Sequence, residues 1–296
     1  MDSVQASVTQ VSRARVRLLV QGTGFFSAIT DDLDRLDAPS QVNLVAEGGS
    51  AAVGLRARLR LPNGIMLLGG FSGGREDYQD VTVGDELTGT LAIRYAPALG
   101  PSRPFVEIGG LYGGSDNVSL RRHYLDGIKT VTGQGSAAYR VSAVWGRAGW
   151  IWDPSPADQI GVYGEYGLQR QTIGAYLEPL SNLNPFEALV APGLDKMDVG
   201  KLGVRASHAF AGGWEMQGGL AVAHAFYGVQ NLGVVIDGIG PVAAPPAGQQ
   251  TWVEYRVRLG RAISHSSAIS VFVAGIAGTA TVGDAEHVGV DYRIVF

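Results

Sequence analysis

GDAEHVGVDYRIVF, residues 283–296, closes the chain, and its reading decides the fold. Val288, Val290, Tyr292, Ile294 and Phe296 share one parity, while Gly289, Asp291 and Arg293 share the other. A side-chain period of two belongs to a strand, here with one apolar and one polar face. The alternation runs to the last residue and ends on an aromatic. A sheet closed on itself in a bilayer needs such a strand: it pairs with the first while its apolar side meets lipid. An ordinary edge strand also alternates, so the rest of the chain has to decide.

Working back from that end, twelve segments read as strands, near 14–27, 49–61, 65–73, 84–96, 105–113, 136–151, 159–171, 198–210, 214–228, 251–263, 268–279 and 286–296. In the second, Leu55, Ala57, Leu59 and Leu61 oppose Arg56, Arg58 and Arg60. In the tenth, Val253, Tyr255, Val257 and Leu259 oppose Glu254, Arg256 and Arg258. Connections alternate in length. Those near 29–48, 74–83, 114–135, 172–197 and 229–250 are long, with a shorter one at 280–285; Pro62-Asn63-Gly64, 97–104, 152–158, 211–213 and 264–267 are tight. An even strand count with long loops at one end and tight turns at the other is the layout of a bacterial outer-membrane barrel. The expected fold is all-β, a 12-stranded antiparallel transmembrane β-barrel. A soluble sandwich or lipocalin-like barrel would alternate too, but its shorter strands and solvated faces fit the arginine ladders and loop asymmetry less well.

Composition sets the outer bounds. The chain has 296 residues with 43 Gly, no Cys, 17% charged residues and a net charge of −4. No apolar run approaches the ~20 residues of a membrane helix. Absent cysteine excludes thiol catalysis, Cys-ligated zinc and disulfides. The acidic balance and lack of a basic block argue against nucleic acid. No metal or cofactor is expected: there is no metal cluster and no dinucleotide motif, and the glycine-rich 69–74 (GGFSGG) lacks the GK[ST] of a phosphate loop. His265-Ser266-Ser267 matches a His-x-Ser pair, but it falls in a tight turn without an orienting Asn, and His208 and His224 have no Ser at that spacing. Asp31, Asp32, Asp34 and Asp37 read as a solvated acidic loop. The expectation is a non-enzymatic barrel.

From about residue 14 to 296 the chain resembles the autotransporter β-domain, the translocator of type V secretion. The likeness rests on the strand count, on Tyr292 and Phe296 in the last strand, and on the run from Tyr163 to Phe226, with GKLGVRASHAF at 200–210. It also rests on the hairpin TWVEYRVRLGRAISHSSAISVFVAGI, 251–276. The resemblance implies an outer-membrane location in a Gram-negative bacterium and export of an N-terminal passenger. Partners would be outer-membrane lipid and lipopolysaccharide, the barrel assembly machinery, which would take Tyr292 and Phe296 as an insertion signal, and the passenger itself. The family threads a helix through its lumen. Val4, Val8 and Val11 are spaced as one face of a short helix, yet Val and Thr are poor helix formers, and a frayed strand start fits as well. Residues 1–13 are thus expected to be a linker or short plug and 14–296 the barrel. Some members cut their linker by Asn cyclisation; no Asn precedes Asn43. A free-standing channel for small anionic solutes is the alternative, favoured by the short N-terminal segment.

With the apolar parity in lipid, the lumen is expected to be lined by Arg56, Arg58, Arg60, Glu86, Arg94, Glu107, Arg140, Glu165, Lys201, Arg205, Glu215, Glu254, Arg256, Arg258, Asp291 and Arg293. Arginine on the lipid face costs ~2–4 kcal/mol at the midplane, which keeps the ladders inside. These residues form either a wet, net-positive channel or a set of cross-strand pairs. Aromatic girdles are expected from Tyr95, Trp150, Trp152, Trp214 and Phe296 at the tight-turn end, and from Phe26, Tyr112 and Tyr139 at the other.

Overall fold

The computed structural model describes residues 2–30, 39–48, 51–78, 80–97, 100–126, 128–229, 232–244, 249–278 and 281–296. One helix, α1 (Asp2–Thr30), precedes β1 (Gln41–Gly48), β2 (Ala51–Arg60), β3 (Ile65–Tyr78), β4 (Val81–Tyr95), β5 (Ser102–Asp126), β6 (Lys129–Ser155) and β7 (Asp158–Ile173). Then come β8 (Tyr176–Glu178), β9 (Ala188–Val190), β10 (Gly193–Ala209), β11 (Trp214–Val229), β12 (Gly233–Ile236) and β13 (Gly240–Ala243). The chain finishes with β14 (Gln250–Ala262), β15 (Ser267–Ala277) and β16 (Ala285–Val295). Twelve of these strands close an antiparallel barrel in the order β1-β2-β3-β4-β5-β6-β7-β10-β11-β14-β15-β16, returning to β1. The seam joins the last strand to the first, from Gln41 opposite Val295 to Gly48 opposite Val288. No described helix is long and apolar enough to cross a bilayer; the closed barrel, with its exposed apolar outer wall, is the part that crosses it.

The wall follows the period-two pattern. Outward positions are large and apolar, such as Leu91, Ile108, Leu202 and Val222, all exposed on the outer wall. Tyr292 and Phe296 lie on this face, and so do Tyr95, Trp150, Trp152 and Trp214 at the tight-turn end, the belt expected where lipid meets water. Of the opposite aromatics, Tyr112 faces out, whereas Tyr139 is fully buried inside. Phe26 belongs to α1. The hairpin turn after β2 needs two left-handed residues, Asn63 at φ 63° and Gly64 at φ 79°. A Cβ on Gly64 would come within 2.2 Å of the Ala96 carbonyl, so glycine is required there.

Several expectations are overturned, among them the long connection at 74–83, where β3 runs to Tyr78 and β4 starts at Val81. The strand expected at 14–27 is helix, and the first strand is β1, inside what read as a long loop. The run RARVRLLV at 13–20 alternates weakly, yet buries Val16, Leu18, Leu19 and Val20 together, as only a helix enclosed by a barrel can. The connection expected at 114–135 is mostly strand. Val118, Leu120, Arg122 and Tyr124 all point inward, so β5 and β6 continue as a hairpin far above the membrane. At 25 and 27 residues these strands outrun the ~25 Å apolar band of an outer-membrane wall.

The two longest connections fold into a separate four-stranded sheet, in the order β13-β12-β9-β8. It sits at the long-connection end. Ala188, Val190, Val234 and Ile236 on its inner face belong to the same apolar core as α1. Burial pushes the Tyr176 phenol up from its ordinary value.

Candidate functional site: the lumen and its helix

The interior has two tiers of different chemistry. The upper tier, toward the long connections, is an apolar core around α1. Val8, Val11, Val16, Leu18, Leu19 and Val20 pack with Leu68, Val83, Leu111, Val118, Val141 and Trp145 of the wall. Polar clasps fix the helix in this setting. Arg15 pairs with Asp195 on β10 at 2.9 Å, with both side chains 2% exposed. Gln171 on β7 donates to the Arg15 carbonyl and to the same Asp195 carboxylate, each at 2.7 Å. A Cβ on Gly193 would lie 1.7 Å from the Arg15 guanidinium, so the clasp needs glycine at that wall position. Nearer the helix start, Arg122 donates to Ser7 Oγ at 3.3 Å while pairing with Glu178 of β8 at 2.6 Å. Gln10 donates to Asp80, and Gln5 to the Ala243 carbonyl of β13.

These contacts fix the direction of the chain. Residues 5–10 touch the long-connection end, and β1 starts at the tight-turn end beside Val295. The helix therefore enters the barrel from the long-connection side and leads down toward the start of β1. Its 29 residues span about 44 Å at 1.5 Å per residue, longer than the hydrocarbon core.

The lower tier is ionic. Arg94, Glu107, Arg147, Glu165 and Lys201 are direct cross-strand neighbours on β4, β5, β6, β7 and β10, with signs that alternate along the row. Arg94 meets Glu107 at 2.6 Å, Arg147 reaches Glu107 at 3.7 Å and Glu165 at 2.5 Å, and Lys201 reaches Glu165 at 3.6 Å. Lys201 then spans β11 to Glu254 at 3.0 Å. Indole N–H groups complete the carboxylates, Trp145 to Glu107 and Trp252 to Glu254. Across the seam, Asp291 accepts from Asn43 at 2.9 Å and from Arg56 at 2.8 Å, with Arg258 at 3.6 Å. Arg293 pairs with Glu215 at 3.4 Å. The Arg205 and Arg94 guanidinia lie over the Phe105 ring, and Arg256 over Phe272.

The expected lining residues thus fall into groups. Arg94, Glu107, Glu165, Lys201 and Glu254 form the ladder, with Arg56, Arg258 and Asp291 clustered at the seam. Arg58 is buried within the charge field of Arg94, Arg205, Arg258 and Arg293, an accumulation of base near the tight turns. Arg60 has the inward parity but sits exposed at the rim. Glu86 is buried higher up and accepts a 3.3 Å bond from Thr88. Arg140 is a correction: it points out of the barrel and binds Asp116 at 2.6 Å. Arg140 and Arg147 have opposite parity, so only one can face the lumen, and Val141, Ala143 and Trp145 place Arg147 there. β6 is long enough that Arg140 emerges above the apolar band, where an outward arginine is wetted. Arg147 and the helix clasps escaped the reading of the sequence. The parity of Trp145 could have found Arg147, but nothing local marks Arg15 as the partner of Asp195. His265 lies in the exposed turn after β14 and makes no hydrogen bond among the described residues. Asp31, Asp32, Asp34 and Asp37 lie outside the described residues.

No family model matches this chain, and no curated protein matches it. Among solved structures it is similar to the translocator domain of the autotransporter NalP from Neisseria meningitidis, at TM-score 0.65 and 12% identity, covering 96% of this chain and 97% of that one. The β domain of the Bordetella autotransporter BrkA follows at TM-score 0.49 and 15% identity, over 88% of this chain and 100% of that one. The Ralstonia pickettii toluene transporter TbuX has TM-score 0.48 and 12% identity, over 91% and 93%. At 12% identity the likeness to the NalP domain shows the fold alone, a closed 12-stranded β-barrel.

The ladder makes a quantitative prediction. Removing one partner of a buried pair leaves an uncompensated charge, at a cost of about 3–5 kcal/mol. Glu107→Ala strands Arg94, while Arg147 keeps Glu165 at 2.5 Å, and equilibrium urea unfolding in lipid vesicles should show a loss of that size. Glu86→Gln, at a buried carboxylate with no ion pair among the described residues, should fall within about 1 kcal/mol of the native barrel, since no charge loses its partner. Equal losses from the two variants would reject the ladder.

Proposed function

We propose that this barrel is the translocator for an N-terminal passenger polypeptide, carrying it to the surface of the cell. The observation that supports this reading best is the direction of α1: its N-terminal turns are clasped at the long-connection end, so any polypeptide ahead of them would emerge on the outer side. The apolar tier around the helix weighs against a free-standing diffusion channel, which needs an open path. The barrel acts by holding and shielding a chain and performs no catalysis. During passage the ionic walls offer the moving polypeptide few apolar contacts. With the helix gone, the base gathered around Arg58 would favour anions.

The division of labour is then α1 as the occupant of the pore and the barrel from β1 onward as its wall. Phe296, outward on the closing strand, serves as the signal read by the barrel assembly machinery, and Tyr292 beside it on the same face belongs to that signal.

Planar-bilayer recording tests the pore. The native barrel should pass little current, and deletion of residues 2–30 should raise conductance severalfold with a reversal potential favouring anions under a KCl gradient. In that deletion background, Arg56, Arg58 and Arg256 changed to Glu should swing the preference toward cations. A native barrel that conducts as freely as the deletion would favour the diffusion channel. The export role is checked by an epitope fused ahead of Met1, which should react with antibody on intact cells; an epitope reached only after permeabilisation contradicts it.

The insertion signal has its own test. Deleting Phe296, or replacing it by Asp, should cut the heat-modifiable, assembled fraction severalfold in outer-membrane preparations. Undiminished assembly of both variants would show that the chain end is not read.

A further inference from the structure

The outer wall is not uniformly filled. Over β4 to β10 it carries a trough of about 780 Å³. Two cross-strand rows of outward residues build it. The upper row runs Gly89, Tyr112, Ser142, Arg170, Lys196, and the lower runs Leu91, Gly110, Val144, Leu168, Asp198. Small residues make the hollow. At Gly89 an added Cβ would meet nothing nearer than 3.9 Å, and Ser142 opposes Tyr112 with little volume of its own. The floor and sides are apolar where Leu91, Val144 and Leu168 frame them.

One side of the trough is basic. Arg170 and Lys196 are direct cross-strand partners on β7 and β10, both exposed, and neither makes an ion pair among the described residues. Of the nearby acids, Asp116 pairs with Arg140 at 2.6 Å, and Asp198, which closes the lower row of the trough, accepts from the Tyr166 hydroxyl at 3.2 Å and makes no ion pair with either cation among the described residues. Height matters as well. Arg170 is twelve residues above Asp158 at the tight-turn end, which at ~3.3 Å per residue and a strand tilt of ~40° is roughly 30 Å. The apolar band of such walls is ~25 Å tall, so the two cations stand at the outer interface and the trough runs down from them into the hydrocarbon.

We infer that this trough is a docking site for a phosphorylated glycolipid of the outer leaflet, of the lipopolysaccharide class, with an acyl chain in the hollow and a phosphate across Arg170 and Lys196. The chemistry selects this occupant. Two uncommitted cations at headgroup height match a phosphate, which Arg can bind through two donors and Lys as a point charge. The apolar hollow directly beneath matches a chain covalently tied to that phosphate. A zwitterionic phospholipid carries its own ammonium beside the phosphate and would gain less from the pair. Position on the wall, away from the lumen, makes the site independent of any passenger.

Native mass spectrometry of the purified full-length barrel in detergent tests this. Bisphosphorylated lipid A should remain as a one-to-one adduct. Dephosphorylated lipid A, phosphatidylethanolamine and inorganic phosphate should each be retained at least tenfold less. Arg170→Gln with Lys196→Gln should lower lipid A retention at least tenfold while heat-modifiable migration stays native. Gly89→Phe, which fills the hollow and leaves both cations, should also lower it several-fold, and stands as a separate test if the double variant fails to assemble. Retention of dephosphorylated lipid A equal to lipid A, or of phosphate alone as well as lipid A, would overturn the assignment. So would unaltered binding by either assembled variant, or a dimer of barrels sealed across this face.

Discussion

Charge neutralisation inside a closed wall is the constraint on which this structure depends. A sheet in lipid must satisfy every backbone group and leave no edge, which closure through the β1–β16 seam achieves. Closure then forces half the side chains of each strand into a narrow interior, and in this chain many of those are ionised. Register solves the problem. Arg94, Glu107, Arg147, Glu165 and Lys201 fall opposite one another on five consecutive barrel strands, so each charge is flanked by its complement. A one-residue slip of any of these strands would carry its ladder member to the lipid face, so the ladder specifies pairing as well as neutrality.

Above the ladder the interior is largely filled by an apolar core, and the helix supplies its centre. Val and Thr at many positions give α1 little intrinsic helicity, and its stability comes from the apolar wall that surrounds it. The clasps at Arg15, Gln10 and Ser7 add direction to that packing: they bind the first half of the helix to the long-connection end. The barrel and its occupant are thus interdependent, since without α1 the faces of Leu111, Val118 and Val141 would line an apolar void.

Much of this was legible from residue order. Strands with one lipid face and one ionic face, such as β2 and β14, declare both their period and their orientation. The last strand identifies its outward side through Val288, Val290 and Tyr292. What escaped detection depends on tertiary surroundings. β1 is eight residues long and mixes Asn43 and Glu47 with Val42 and Leu44, so it reads as loop until β16 and β2 are placed beside it. The helix reads as a strand because RVRLLV alternates over a few residues, and only enclosure reveals that every side of residues 14–20 needs burial save Arg17, which is half-buried. Arg140 reads as a lining residue because parity on a long strand takes no account of height. Ladder partners are identifiable as residues but not as pairs, because irregularities at Ser115/Val118 and Trp152/Ser155 shift the register of the β5–β6 and β6–β7 hairpins.

The central claim is that α1 stands in the barrel with its N-terminal turns facing the cell exterior. The chain has no cysteine, so single replacements report cleanly. Ala6→Cys is exposed at the long-connection end, and His265→Cys is exposed in a tight turn at the other. A membrane-impermeant maleimide on intact cells should label Cys at position 6 and leave position 265 unlabelled until the outer membrane is permeabilised. Labelling of position 265 from outside, or of position 6 only after permeabilisation, would contradict the direction assigned to the helix.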